Sequence, residues 1–322
     1  VKSLKEKVPW MATKEEDLFF DIRKDEVVVH GVSFSPKKFA LSRVESEPIF
    51  KTVNGDFGTS KPIGIVGPDY VPVKNDILNQ SLDFCGFDTK LNRGRSGNHN
   101  DKRFSLVYDI EHEPLIDPKT KTEMYPLIVI RNSYDATTGI DISLGLFRAL
   151  CSNLAIWTFD RRSISMPHIG DDVQQFIADM GKHILELFDD QMFDDVRKKI
   201  IGLAKKTTYN IDVSYLSSMP YRNIVSILAV LNHADMKITY DGNTVDNYKL
   251  AEEITKRKAD RWGLEAPNVE RMWQNAESDL QYPEPIASQW ELYQFLLKLY
   301  QVNRKNNYAK FAAGMEIARL FK

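Results

Sequence analysis

Histidines, cysteines and clustered carboxylates are the groups in this chain of 322 residues with the means to bind a metal or attack a substrate. His30, His99, His112, His168, His183 and His233 stand apart, with no His-x-x-x-His pair and no Cys-x-x-Cys to complete a zinc site. No Gly-x-Ser-x-Gly elbow exposes a serine, and Cys151 at the end of an apolar strand reads as a packed thiol. Gly64-Ile65-Val66-Gly67-Pro68 lacks the lysine and hydroxyl residue of a phosphate-binding loop. Asp171, Asp172, Asp189, Asp190, Asp194 and Asp195 leave one catalytic reading open, a nuclease whose acids converge on a divalent ion. The competing reading is a pair of solvated acidic helix faces. The expectation is a protein without catalytic residues, metal or cofactor.

The stretch from Asp88 to Phe104 carries Lys90, Arg93, Arg95, Lys102 and Arg103 against Asp88 and Asp101, with His99 among them. Its centre, Asn92 to Asn100, is rich in Gly and Asn, which suits an exposed loop. Flexible Gly and Asn let backbone amides and guanidinium groups approach phosphates together. Phe84, Phe87, Phe104 and Tyr108 lie close in sequence and offer rings for stacking bases, although some of them must be core. The nucleic-acid-binding set is therefore Lys90, Arg93, Arg95, Lys102, Arg103, Phe104 and Arg131, set against a plain solvated hairpin loop.

Strands must hold that loop. Glu26 to Val32 is β-branched, and Pro62 to Val66 leads through Gly67-Pro68-Asp69 into Tyr70 to Val73 as a hairpin would. A helix is expected from Asn75 through Leu82, and a short one after Thr13. Phe104 to Ile110, Leu127 to Arg131 and Ile140 to Leu150 alternate as antiparallel strands. In the last, Ile142, Leu144, Leu146 and Arg148 share one face. After Pro167 the pattern becomes helical: Val173 to Phe188, Met192 to Ala204, Tyr221 to Leu231, Lys249 to Trp262, Val269 to Leu280 and Ala287 to Tyr300.

The fold class is thus α+β, a mainly antiparallel sheet with packed helices in the first half followed by a helical second half. The division is 1–166, an α+β core domain with the basic loop 88–104, and 167–322, a helical region. The length exceeds what one core usually fills, which fits two packed regions. A net charge of -2 argues against coating nucleic acid by bulk charge, so any contact must be local. No apolar run reaches the ~18 residues of a membrane span, and the opening residues lack a signal peptide's apolar stretch. These features point to the cytoplasm, where Cys85 and Cys151 stay as thiols.

Arg131-Asn132-Ser133-Tyr134-Asp135-Ala136-Thr137-Thr138-Gly139 resembles the Asn-Ser-His-Asp-Gly turn of the phage and plasmid family known as domain of unknown function 932. Leu146 to Leu154 is similar to that family's Arg-Val-Val-Cys-x-Asn-Thr-Leu segment, and Tyr70 to Asn75 to its Tyr-x-Pro-x-x-Asn. Ser288-Gln289-Trp290-Glu291-Leu292-Tyr293 resembles its Trp-x-Leu-Tyr-Asn-Ala helix. Tyr134 replaces the family's His, Ala136 its Gly, and Gln294 an Asn. Physically, Asn132 and Asp135 suit turn closure, Gly139 a left-handed position, and Arg148 on an apolar face needs Asp135 or Asp141 as partner. A structural polar network of Asn132, Asp135, Arg148 and Asn153 is expected.

The resemblance implies a place in phage or plasmid replication, and its order of strands is similar to that of single-strand annealing recombinases. By that analogy the chain binds or anneals single-stranded DNA in recombination or replication, assembled as a ring or filament of identical subunits in the host cytoplasm, without a membrane contact. A protein-interaction or structural phage protein is the alternative, and a metal-dependent nuclease the third.

Overall fold

The computed structural model describes residues 14–29, 32–33, 35–44, 62–83, 89–93, 95–148, 163–170, 172–187, 190–206, 210–234, 236–278, 286–302, 314 and 317–321. They form two compact units. The first holds the described residues up to Ile116 and from Thr122 to Asp194, the second Asp117–Lys121 and those from Asp195 on.

In the first unit α1 (Glu15–Leu18) precedes β1 (Ile22–Glu26), β2 (Val28–Val29), β3 (Val32–Ser33), β4 (Phe39–Arg43) and β5 (Gly64–Val66). Then come α2 (Asn75–Asp83), β6 (Thr89–Leu91), β7 (Gly97–His99), β8 (Arg103–Ile110), β9 (Leu115–Ile116), β10 (Glu123–Ser133), β11 (Ile140–Arg148), β12 (Ser163–Met166) and α3 (Asp172–Leu187). β1, β4 and β5 make a small sheet, and β2 pairs with β3. The principal sheet runs β12-β11-β10-β8-β6, with β7 also on β8 and β9 on β10, every pairing antiparallel.

β10 pairs on both sides, and its Leu127-Ile128-Val129-Ile130 run is buried throughout because both faces of the sheet are covered there. One face, carrying Phe104, Leu106, Tyr108, Ile128, Ile130, Ile142 and Leu144, is the apolar core side, where α2 meets the sheet as Tyr108 donates to Asn79 Oδ1 at 2.9 Å. α2 packs in turn on α3. The other face carries Arg103, Ser105, Val107 and Asp109 of β8, Arg131 of β10 and Asp141 of β11.

α4 (Asp190–Lys205) leads to the second unit, with β13 (Asn210–Asp212), a 3-10 turn at Ser214–Ser218, α5 (Tyr221–His233), β14 (Lys237–Tyr240), β15 (Asn243–Val245), α6 (Asn247–Arg261), α7 (Val269–Ser278) and α8 (Gln289–Val302). α5 is buried on nearly every side by Ile224, Val225 and Ile227 to Leu231, and α6 and α7 pack on it. The protein is α+β, strand-rich first and helical later, as its periodicity implies. Two details differ. Tyr70 to Val73 is no hairpin partner of β5, which pairs with β4 while Tyr70 bridges to Ile169. The helical half also holds the small sheet β13-β14-β15, its hairpin closed by Asp241-Gly242 at φ 50 and 79.

Candidate nucleic-acid interface

The basic segment is not a free loop: β6 and β7 both lie along β8, which draws Ser96 and Gly97 into buried positions. Asn100 and Asp101 turn β7 into β8 with φ of 55 and 58, and Lys102 N–H donates to His99 O at 3.1 Å. Two left-handed residues in succession make a type I′ turn, which matches the twist of the paired strands. Between β6 and β7 the chain is fastened to β8. Asn92 N–H donates to Val107 O at 2.7 Å, and Ser96 Oγ accepts Val107 N–H at 3.0 Å.

These anchors sort the cations. Arg95 donates to Asp109 Oδ1 at 2.6 Å, and its guanidinium carbon stands over the Phe147 ring, 3.5 Å from the centroid. Burial works against its charge, and Asp109 offsets part of that effect. Arg103 Nε donates to Thr137 Oγ1 at 2.8 Å and reaches Asp135 Oδ2 at 3.3 Å. Arg131 meets Asp141, its directly opposed residue on β11, at 3.1 Å. Lys90, Arg93 and Lys102 are exposed, Arg93 only loosely beside Glu15 at 3.7 Å. Lys90 opposes Asp109 and Lys102 precedes Arg103, so the two lysines lie about 20 Å apart along β8. Phe104 is corrected from a base-stacking residue to core: at 0 % exposure it packs against Phe20 and Tyr134, with no ring face left for a base.

The turn from Ser133 to Gly139 sits beside this edge, since Tyr134 N–H donates to Lys102 O at 2.7 Å. Asp135 Oδ1 accepts Thr137 N–H, and Ser133 Oγ both donates to Thr138 O and accepts Thr138 N–H. The left-handed residue is Ala136, at φ 58, and not Gly139. Gly139 is required for another reason: a Cβ there would lie 2.3 Å from Met166 O on β12. Gly64 of β5 is confined in the same way, its absent Cβ leaving room for the backbone of Tyr134 and Asp135.

Asn132 does not close the turn but reaches into the core, where Nδ2 donates to Val73 O at 2.7 Å and Asn75 Oδ1 at 2.8 Å. Asn75 in turn donates to Leu18 O and, through its backbone, to Tyr134 Oη. Tyr70 Oη donates to Ser133 O at 2.7 Å while its ring stacks on His168. Burial holds the Tyr70 and Tyr134 phenols well above their ordinary range. Asn132 thus stands in a buried polar network with Asn75 and Tyr134. Asp135 pairs with Arg103 and Asp141 with Arg131. The Arg148 side chain and Asn153 lie outside the described residues.

In the second unit, the turn Asp117-Pro118-Lys119-Thr120 is held by α8. Asp117, 0 % exposed, accepts from Trp290 Nε1 at 3.1 Å, Gln294 Nε2 at 2.7 Å and the backbone N–H groups of Lys119 and Thr120 at 2.9 Å. Residue-by-residue reading missed this clamp, whose only signal was the Trp-x-Leu-Tyr likeness.

Among the described residues no group of three or more His, Cys, Asp or Glu is placed to hold a metal ion. No described helix is long and apolar enough to cross a membrane. Residues 62–212 match the family model described as Domain of unknown function (DUF932), from β5 through β13 and short of the Trp290 segment. No curated protein and no solved structure matches the chain.

Proposed function

Since residues 62–212 match the DUF932 family model, we propose that the chain acts as a phage or plasmid protein that binds and anneals single-stranded DNA without bond-making chemistry. The observation that supports this reading is the exposure of Lys90, Arg93 and Lys102 along one sheet edge, β6-β7-β8, over about 20 Å. A backbone of phosphates needs cations so spaced, and the annealing role needs no more than a positioned strand. Arg95, Arg103 and Arg131 then serve as positioning residues, each held by an aspartate. Further copies of the chain, in a ring or filament in the host cytoplasm, complete the proposal.

Because Arg95 and Arg103 are ion-paired, removing them would unsettle Asp109 and Asp135. The informative variant is Lys90→Ala/Arg93→Ala/Lys102→Ala. On a labelled single strand its salt slope should be lower than wild type by about 2, near 0.7 per phosphate contact, at every sequence alike. Its melting temperature should not change, since all three side chains are exposed. Wild-type binding that ignores salt rejects the proposal, and a variant with the parental slope rejects the sheet edge as the place of contact.

A further inference from the structure

α6 ends in a Schellman motif: Leu264 N–H donates to Ala259 O at 3.0 Å, Gly263 N–H to Asp260 O at 3.1 Å, and Gly263 has φ 60. This cap fixes the backbone at Trp262, yet the Trp262 side chain is 71 % exposed and Leu264 60 %. An indole held out in water on a rigid cap is costly to solvate and is preorganised for a flat partner. Lys256, Arg257, Lys258 and Arg261 precede Trp262 with Asp260 among them and Glu265 after it, and Arg257 is paired with Glu253, which leaves Lys258 and Arg261 as the cations nearest the indole along the helix. Lys258, Arg261 and Trp262 stand at i, i+3 and i+4, one stripe of the helix. Lys258 is also fixed in place, its ammonium donating to Ser217 O at 3.0 Å and standing 5.9 Å from the Tyr221 ring.

We infer that Trp262, with Arg261 and Lys258 beside it, is a second contact for single-stranded nucleic acid, the indole stacking on a base while the cations meet flanking phosphates. This rests on the single-strand reading above. A protein partner fits less well, since covering Trp262 would strip water from lysines that interface cores exclude. A membrane surface fits less well too. Leu250, Ala251, Ile254 and Ala259 of α6 are spent on the unit's own core, which leaves only Trp262 and Leu264 to enter a bilayer.

Trp262→Ala should be compared with wild type on an oligo-dT strand and on an abasic strand of equal length, with thermal melting as a folding control. Loss of one stacked base weakens oligo-dT binding about 5- to 150-fold and leaves the abasic strand and the salt slope unchanged. Trp262→Phe should restore most of the loss, and Arg261→Ala should lower the salt slope by about 0.7. Equal binding of oligo-dT by Trp262→Ala and wild type overturns the inference, as does equal loss on both strands. Binding to phosphatidylserine vesicles in place of strands, lost in Trp262→Ala, also overturns it. With the Lys90/Arg93/Lys102 variant measured alongside, an effect of that variant alone overturns only the Trp262 contact. An effect of Trp262→Ala alone overturns only the sheet-edge contact.

Discussion

Ala136 holds φ 58, a conformation in which a Cβ crowds the following carbonyl at a cost of about 1–2 kcal/mol. The turn keeps it there because Asp135, Thr137, Ser133 and Thr138 are all bonded on either side. The related turns carry Gly at this place, and the angle explains why. Ala136→Gly should raise stability by about 0.5–1 kcal/mol, the relief of strain exceeding the added freedom of the unfolded chain, as urea denaturation would register. His168 carries a second local consequence. Its Nδ1 faces Val71 O at 3.0 Å, so that nitrogen holds the proton, and Nε2 is buried with no hydrogen-bond partner among the described residues. Burial lowers its pKa below the usual 6.5. The unfolded chain therefore takes up a proton that the native state refuses, and stability falls as pH drops below about 6.5 until the lower native pKa is passed. His168→Gln, which does not titrate, should show a flatter dependence of melting temperature on pH between about 7 and 5.

At the scale of elements, α8 shows how a helix start can serve a distant turn. Ser288 and Glu291 form a capping box, with Glu291 N–H on Ser288 Oγ at 3.3 Å and Glu291 Oε2 accepting from Ser288 Oγ and Ala287 N–H. That box sets the first turn of α8, and Trp290 within that turn and Gln294 one turn on close on Asp117. Asp117→Ala would take the acceptor from four donors, the Trp290 bond buried and the other three part-buried. The expected loss is about 3 kcal/mol or more, and Trp290→Phe, which removes one donor and keeps most of the ring, should lose about 1. Circular dichroism during urea titration would read both. Equal stability of Asp117→Ala and wild type would show that the clamp contributes nothing.

At the scale of the whole chain, a net charge of -2 conceals a sheet region in which Arg95, Arg103 and Arg131 are each paired with an aspartate. The long strands β8, β10 and β11, the helices after Pro167 and the α+β class were legible in the sequence. Burial on one side of a strand or helix imposes a period of two or 3.6 on residues close together in the chain. The Ser288-x-x-Glu291 start and the Asp241-Gly242 hairpin were also legible in principle, because caps and tight turns are chemistry of adjacent residues. What each cation does was decided by tertiary structure alone. Arg95 and Asp109 are 14 residues apart, Arg103 and Asp135 are 32, and Trp290 and Asp117 are 173. Strand register brings the first two pairs together and helix packing the third, and neither leaves a periodic mark. For the same reason Phe104, one ring among several in a basic stretch, could be assigned to core or surface only once β8 had a defined face.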